Sequence, residues 1–301
     1  MRDRVPAFER EALEALERRV AHALASRDGT APEVLGYGEI SSVLALRFDG
    51  GGVACKRLPP FRCEEAFEAY RACFEAQLRA FEAHGIPVLA TELHRMDGVG
   101  SGPVAYCVQP LVDRHALVPA RLDREATLAG VELVETILER ALAYVAPTRG
   151  FDGQLSNWAV VEEELLYLDV STPLLRDKSG QERLDVDIFL ASLPWLLRGV
   201  VKRFVLRSIL DPYYSRRGVT LDLLGNLIKE GLGKRLPEWV PVAARHLGEP
   251  LDVDQVRRHY ARDARTWHLL QRLRRLDRAW QWRVRRRPYS FLLPGPVERR
   301  V

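Results

Sequence analysis

Among the side chains of types that can hold phosphate, a divalent cation or one another are Lys56, Glu75, Asp152, Asn157 and Asp169. Asp152 and Asn157 share the stretch FDGQLSNW, residues 151–158, and Asp169 lies in the run LLYLDVS. Carboxylates and an amide oxygen are hard ligands suited to Mg²⁺, which leaves part of its shell to water and substrate phosphates. The same stretch also reads as a polar surface turn. Lys56 ends the run VACK, and only five of the 45 basic residues are lysine. An unpaired ammonium on an apolar strand is costly, so Lys56 calls for an anionic partner. Glu75, on the next helical run, is a candidate; a solvated lysine at a strand edge is the alternative. Upstream, GYGEISSV sets Gly36 and Gly38 in a strand-turn-strand, with Ser41 where a third glycine would stand. Glycine there lets backbone N–H groups approach phosphate oxygens, although a tight hairpin has the same composition.

Placing these groups needs a sheet and several helices. Leu13, Leu16, Val20 and Leu24 recur at steps of three and four, which predicts an amphipathic helix over 7–26. Strands follow over 42–48 and 52–58, joined at Asp49 and the glycines 50–52. Phe67, Phe74, Leu78 and Phe81 predict a helix over 64–83, which HGIPV ends. Strands are expected over 89–94 and 104–109. Beyond Pro110 the pattern is mainly helical, over 123–145, 185–210, 220–231, 252–260 and 262–286, with short strands over 158–161 and 165–169. The expected fold class is α+β: an N-terminal helix within 1–29, a β-rich part over 30–112 with one long helix, and a mostly helical part over 113–301.

The composition narrows the function classes. A length of 301 residues allows one large domain or two lobes sharing a cleft. A formal net charge of +4 is mild, so no nucleic-acid partner is expected. The charged first 20 residues lack the apolar core of a signal peptide, and no run of 18 apolar residues occurs, so a cytoplasmic location is expected. Cys55, Cys63, Cys73 and Cys107 have no Cys-x-x-Cys spacing and read as free, mostly buried thiols. The 40 arginines against five lysines point to a GC-rich bacterial genome.

The order of glycine turn, strand lysine, helix glutamate, helix, Asp/Asn loop, hairpin and aspartate resembles the protein-kinase-like fold. In particular it is similar to the aminoglycoside phosphotransferase and choline kinase branch of small-molecule kinases, over residues 30–175. The resemblance implies a two-lobed enzyme, a phosphotransferase with an alcohol group as acceptor, using ATP and Mg²⁺. By it, Gly36, Gly38 and Ser41 belong to the loop over the phosphates, and Lys56 contacts the α- and β-phosphates with Glu75 holding it. Gln109 and Leu111 fall in the hinge whose backbone reads adenine. Asp152 takes or orients the proton of the acceptor hydroxyl, while Asn157 and Asp169 bind the metal. The chain departs from the family at Gly150, where a histidine usually precedes the catalytic aspartate by two residues, at Ser41, and at Val170-Ser171 in place of Phe-Gly. No Ala-Pro-Glu follows Asp169, which disfavours a conventional protein kinase. Two other readings stay open: a pseudokinase that binds nucleotide or serves as a scaffold without transfer, and a kinase-like site that transfers another group, such as AMP. The acceptor, a hydroxyl-bearing small molecule, would be met by the last 130 residues, where Asp185, Asp187 and Asp211 either face a cationic substrate or sit as solvated helix caps.

One further segment bears on partners. Over 262–287, Leu269, Leu273, Leu276, Trp280 and Val284 recur at steps of four, three, four and four among arginines. Such an amphipathic helix suits peripheral contact with an anionic membrane, which would open the way to a lipid-linked or glycolipid acceptor, or binding to another polyanion. The alternative is a terminal helix docked on the large lobe with its arginines in solvent.

Overall fold

The computed structural model describes residues 4–26, 32–38, 41–98, 102–124, 127–287 and 289–293. Its first half is a five-stranded antiparallel sheet of β1 (Val34–Tyr37), β2 (Ser42–Phe48), β3 (Gly51–Arg57), β4 (Glu92–Asp97) and β5 (Pro103–Pro110), in the order β1-β2-β3-β5-β4. Helix α1 (Arg10–Ala25) precedes the sheet, and α2 (Glu64–Ala83) connects β3 to β4. Side chains alternate across a strand, so one strand can serve two cores. Val104, Tyr106 and Val108 of β5 pack with Leu13, Leu16 and Val20 of α1, while Ala105 and Cys107 between them pack with Phe67, Tyr70 and Phe74 of α2. Glu17 of α1 is buried on the same face and receives Arg57 at 2.7 and 2.8 Å and the Tyr106 hydroxyl at 2.6 Å. The N-terminal helix is therefore part of the sheet's packing.

The second half is helical around one hairpin. Helices α3 (Val118–Arg124) and α4 (Thr127–Tyr144) lead to β6 (Trp158–Val161) and β7 (Glu164–Tyr167). Then come α5 (Asp187–Leu190), α6 (Trp195–Val200), α7 (Leu206–Leu210), α8 (Arg216–Lys229), α9 (Leu236–Leu247) and α10 (Val253–Arg283). The α+β class and the β-rich-then-helical order agree with expectation. Three local expectations do not hold. The single helix over 185–210 is divided, with Pro194 before α6 and a π-helical stretch, Val201–Val205, between α6 and α7. The helices over 252–260 and 262–286 are one element, opened by a capping box in which Asp252 and Gln255 bond each other's backbone N–H. Helix α9 was not expected; it starts with Pro237 in its first turn, where the missing N–H costs no hydrogen bond, and also carries Pro241.

The halves meet at an aromatic cluster. Phe81 of α2 lies 4.9 Å from Tyr144, 5.4 Å from Tyr167 and 6.1 Å from Phe151, and Trp158 completes the group 5.1 Å from Tyr167. Offset and edge-on rings at such distances add attraction beyond their burial. Backbone bonds from Leu89 to Tyr167 (3.0 Å) and from Tyr167 to Pro87 (2.8 Å) tie the hairpin to the chain entering β4. Cys55, Cys73 and Cys107 are buried, Cys63 is exposed, and all four are free thiols. Among the described residues no helix is long and apolar enough to cross a membrane.

Candidate active site

Lys56 stands on β3 opposite Cys107 of β5, and its ammonium donates to Asp169 Oδ1 at 2.7 Å. Their side chains retain only 16% and 22% of their exposure, so little water screens the pair. The same oxygen accepts from the Ser171 hydroxyl (3.0 Å) and amide (3.3 Å). Burial would raise the Asp169 carboxyl, but Lys56 and Ser171 hold it below the usual carboxylate range.

The partner expected for Lys56 was Glu75, and here the structure corrects the sequence. Helix α2 buries Phe67, Tyr70, Cys73, Phe74, Gln77 and Phe81. Glu75 lies off that face, exposed, with its carboxylate 3.8 Å from Arg79 one turn on. What α2 sends to the site is Tyr70, whose hydroxyl donates to the Ser171 carbonyl at 2.9 Å and lies 3.7 Å from Cys107 Sγ. The helix fixes the segment behind Asp169 through a phenol instead of fixing Lys56 through a carboxylate.

The glycine turn reaches the same place in part. Gly36 lies within β1, where a side chain would meet nothing within 4 Å, so no close approach demands glycine there. Gly38 donates its N–H to the Ser41 carbonyl at 2.9 Å. A Cβ on Gly38 would come within 2.5 Å of Ser41 Oγ and 3.8 Å of Lys56 Cε, so the turn lies over the lysine stem. The tip, residues 39–40, lies outside the described residues.

The Asp152 loop is held from beneath. Gly150 donates to the Leu174 carbonyl (2.8 Å) and Phe151 to the Tyr213 carbonyl (2.9 Å). Gly150 stands where the resemblance led to the expectation of a histidine, and its surroundings leave little room for a side chain. A Cβ there would lie 2.9 Å from Leu174 Cβ and 3.1 Å from the Tyr214 ring. The loop is held by these two backbone bonds and by Phe151 in the aromatic cluster. Asp152 accepts from the Gln154 amide at 3.1 Å. Its carboxyl is pushed up to about 6, first by burial and then by the charge of Asp169.

Asn157 is joined to the next segment by its carbonyl, which accepts the Leu168 N–H at 2.8 Å. Its side-chain amide nitrogen is buried without a hydrogen-bond partner. The same amide tempers the rise of the Asp152 carboxyl and of the Tyr167 phenol, so it lies against both. The donor types fit Mg²⁺: Asp169 and Asn157 both offer hard oxygen ligands, and Asp169 uses Oδ1 in the contacts above.

Three residues that the sequence reading missed come from α8. Asp222, Asn226 and Lys229 are four and three positions apart, hence on one helix face. Asn226 Oδ1 accepts the Ser156 N–H at 3.2 Å, and the Lys229 ammonium donates to Gln154 Oε1 at 2.8 Å. Burial, then the nearby Asp152, raises the Asp222 carboxyl well above its usual range. Lysine scarcity was a signal for Lys229, one of five lysines in the chain. Asp222 carried none, because only the fold brings it to Asp152.

The expected hinge is used differently. The Gln109 side chain donates to Thr91 Oγ1 and to the Leu168 carbonyl, both at 2.8 Å, tying β5 to the run that carries Asp169. The Leu111 N–H donates to the Gly52 carbonyl at 3.3 Å, which commits it to the sheet instead of to an adenine edge. Asp185, Asp187 and Asp211 pair with Arg62, Lys202 and Arg176. A cleft of about 750 Å³ between α2 and residues 176–186 is lined by some of these pairs and by none of Lys56, Asp152, Asn157 or Asp169.

The chain belongs to the family of unknown function DUF6206, which matches residues 15–278. No curated protein matches the sequence. Among solved structures the chain is similar to WaaP in complex with acyl carrier protein, at 14% identity over 89% of this chain and 99% of that one, with a TM-score of 0.38. It is also similar to the MAP kinase LmaMPK10 from Leishmania major, at 12% identity over 84% of this chain and 98% of that one, with a TM-score of 0.33.

Proposed function

We propose that this DUF6206 protein is an ATP- and Mg²⁺-dependent phosphotransferase acting on a hydroxyl of a small-molecule acceptor. The observation that carries the reading is the 2.7 Å pair of Lys56 and Asp169, formed across 113 positions beside Asp152. It joins a cation from the sheet to a carboxylate of the hairpin's exit, where phosphate and metal need one charge of each sign. The strand order β1-β2-β3-β5-β4, with α2 between β3 and β4, supplies the small lobe that the sequence resemblance implies.

In this reading Lys56 leaves Asp169 for the α- and β-phosphates. Asp169 and Asn157 would hold Mg²⁺, which supplies positive charge against the oxygens of the transferred group. Asp152, ionised above about pH 6, takes the acceptor hydroxyl proton. The hydroxyl oxygen then bonds to the γ-phosphorus, the bond from that phosphorus to the β,γ-bridging oxygen breaks, and ADP leaves with the electron pair. Lys229, held by Gln154 two residues past Asp152, adds a second cation to the wall of the site. Water is kept from the base of the loop by Phe151, Leu155 and Trp158, all buried.

A second reading, nucleotide binding without transfer, is favoured by the position of Glu75. With that acid turned to solvent, no carboxylate of α2 draws Lys56 off the metal ligand Asp169. ADP formation from Mg-ATP separates the two readings, with Asp152→Ala and Asp169→Ala as controls. Slow ADP release that both variants abolish supports transfer. Stabilisation by Mg-ATP with no ADP supports the second reading, and no stabilisation at all overturns both.

A further inference from the structure

Helix α10 carries its amphipathic pattern with the sense reversed along its second half. Its first half buries Val256, Tyr260 and Ala264. Further along, the buried residues are polar: Gln271, Arg274 and Asp277. Arg274 donates to the Ser192 hydroxyl at 3.1 Å, and Tyr289 fixes the Ser192 carbonyl at 2.9 Å, so this inward polar face is anchored. The apolar stripe points outward: Leu269 is 57% exposed, Leu276 65%, Trp280 49% and Val284 56%. On α6, Trp195, Leu196 and Val200 are exposed as well. Large apolar side chains held out of a packed helix in this way mark an interaction surface.

The charge around the stripe identifies the occupant. Residues 264–287 contain nine arginines, of which Arg274 is buried, and one acid, Asp277, which is buried as well. We infer that the outward face of α10 docks on an anionic phospholipid bilayer. Leucine, valine and tryptophan enter the boundary between headgroups and acyl chains, where tryptophan is favoured, and the arginines meet lipid phosphates. A second copy fits poorly, because a two-fold contact would set arginine against arginine. A nucleic acid would use the arginines and leave the apolar stripe in water. The inference stands independently of phosphotransfer.

The test is co-sedimentation of the full chain with phosphatidylcholine vesicles, with and without phosphatidylglycerol. Binding is expected to rise at least about tenfold with the anionic lipid, and to fall by at least about tenfold in Arg272→Glu/Arg283→Glu, since basic residues near such a surface are attracted to it and acidic ones repelled. Leu276→Ser/Trp280→Ser is expected to lose binding while keeping the unfolding temperature of the parent, as both side chains are exposed. Partition that is independent of phosphatidylglycerol, or unchanged in both double variants, would overturn the inference. So would a concentration-dependent dimer that Leu276→Ser/Trp280→Ser dissolves, which would assign the face to a second copy.

Discussion

Asp152 sets the expected pH dependence. Its carboxyl is raised to about 6 by burial and by Asp169, so as a proton acceptor it gains activity as the pH rises through about 6 and loses it below. Initial rates between pH 5 and 8 check this, and a flat profile would deny it the role. The same shift has the opposite sign for stability. The folded form binds this proton more tightly than the unfolded chain, whose Asp ionises near 3.8, so the ionised carboxylate costs stability above about pH 6, and the cost fades as the pH falls toward 3.8. Asp152→Asn is therefore expected to lower turnover by about 10²–10⁴ while raising the unfolding temperature at pH 7.5 by about 2–4 °C. Gly150→His, which restores the residue usual in the resembled family, is expected to destabilise by about 1–3 kcal/mol because Leu174 and Tyr214 fill the space; an equilibrium urea titration measures it. The sequence order singled out Lys56, Asp152, Asn157 and Asp169, and of these the structure joins Lys56 directly to Asp169. Glu75 was misread because a helical run shows which residues are apolar, and Glu75 is adjacent to Phe74 in sequence while facing solvent.

At the scale of elements, α1 and α2 grip the sheet from its two faces by different means. Helix α1 carries the buried Glu17, bonded to Arg57 and Tyr106. Breaking a buried pair leaves one charge uncompensated, so Glu17→Ala is expected to cost about 3–5 kcal/mol, whereas Glu17→Leu with Arg57→Met recovers most of it. Chemical denaturation of both variants checks this, and a single-variant loss below about 1 kcal/mol would show that the pair does not clamp the helix. Helix α2 acts on the site through Tyr70. Tyr70→Phe removes the bond to the Ser171 carbonyl and is expected to weaken Mg-ATP binding, while Glu75→Gln leaves it unchanged; fluorescent-nucleotide titration distinguishes them. The strands and α2 were legible because their periodicities are sustained between clear turn residues. Helix α9 was not, since Pro237 and Pro241 obscure a helix whose Trp239, Val240 and Ala243 are held by tertiary burial. The unity of α10 was hidden by its change of buried face, apolar near Tyr260 and polar near Arg274.

For the whole molecule, the two halves meet where the chemistry is proposed. The aromatic cluster around Phe151 holds the Asp152 loop against α2, and the Lys56–Asp169 pair spans the same junction on its polar side. The contribution of α8, through Asp222, Asn226 and Lys229, was illegible because it depends on a long-range approach between residues 152–157 and 222–229. The central claim is that Lys56, Asn157 and Asp169 converge on the phosphates of one Mg²⁺-bound nucleotide. Isothermal titration of the full chain with a non-hydrolysable ATP analogue, with and without Mg²⁺, tests it most directly. The account predicts Mg²⁺-dependent binding that Asp169→Asn and Lys56→Met each weaken by about tenfold or more, equivalent to about 1.4 kcal/mol. Absence of binding to the parent protein, or an affinity in both variants equal to that of the parent, would contradict it.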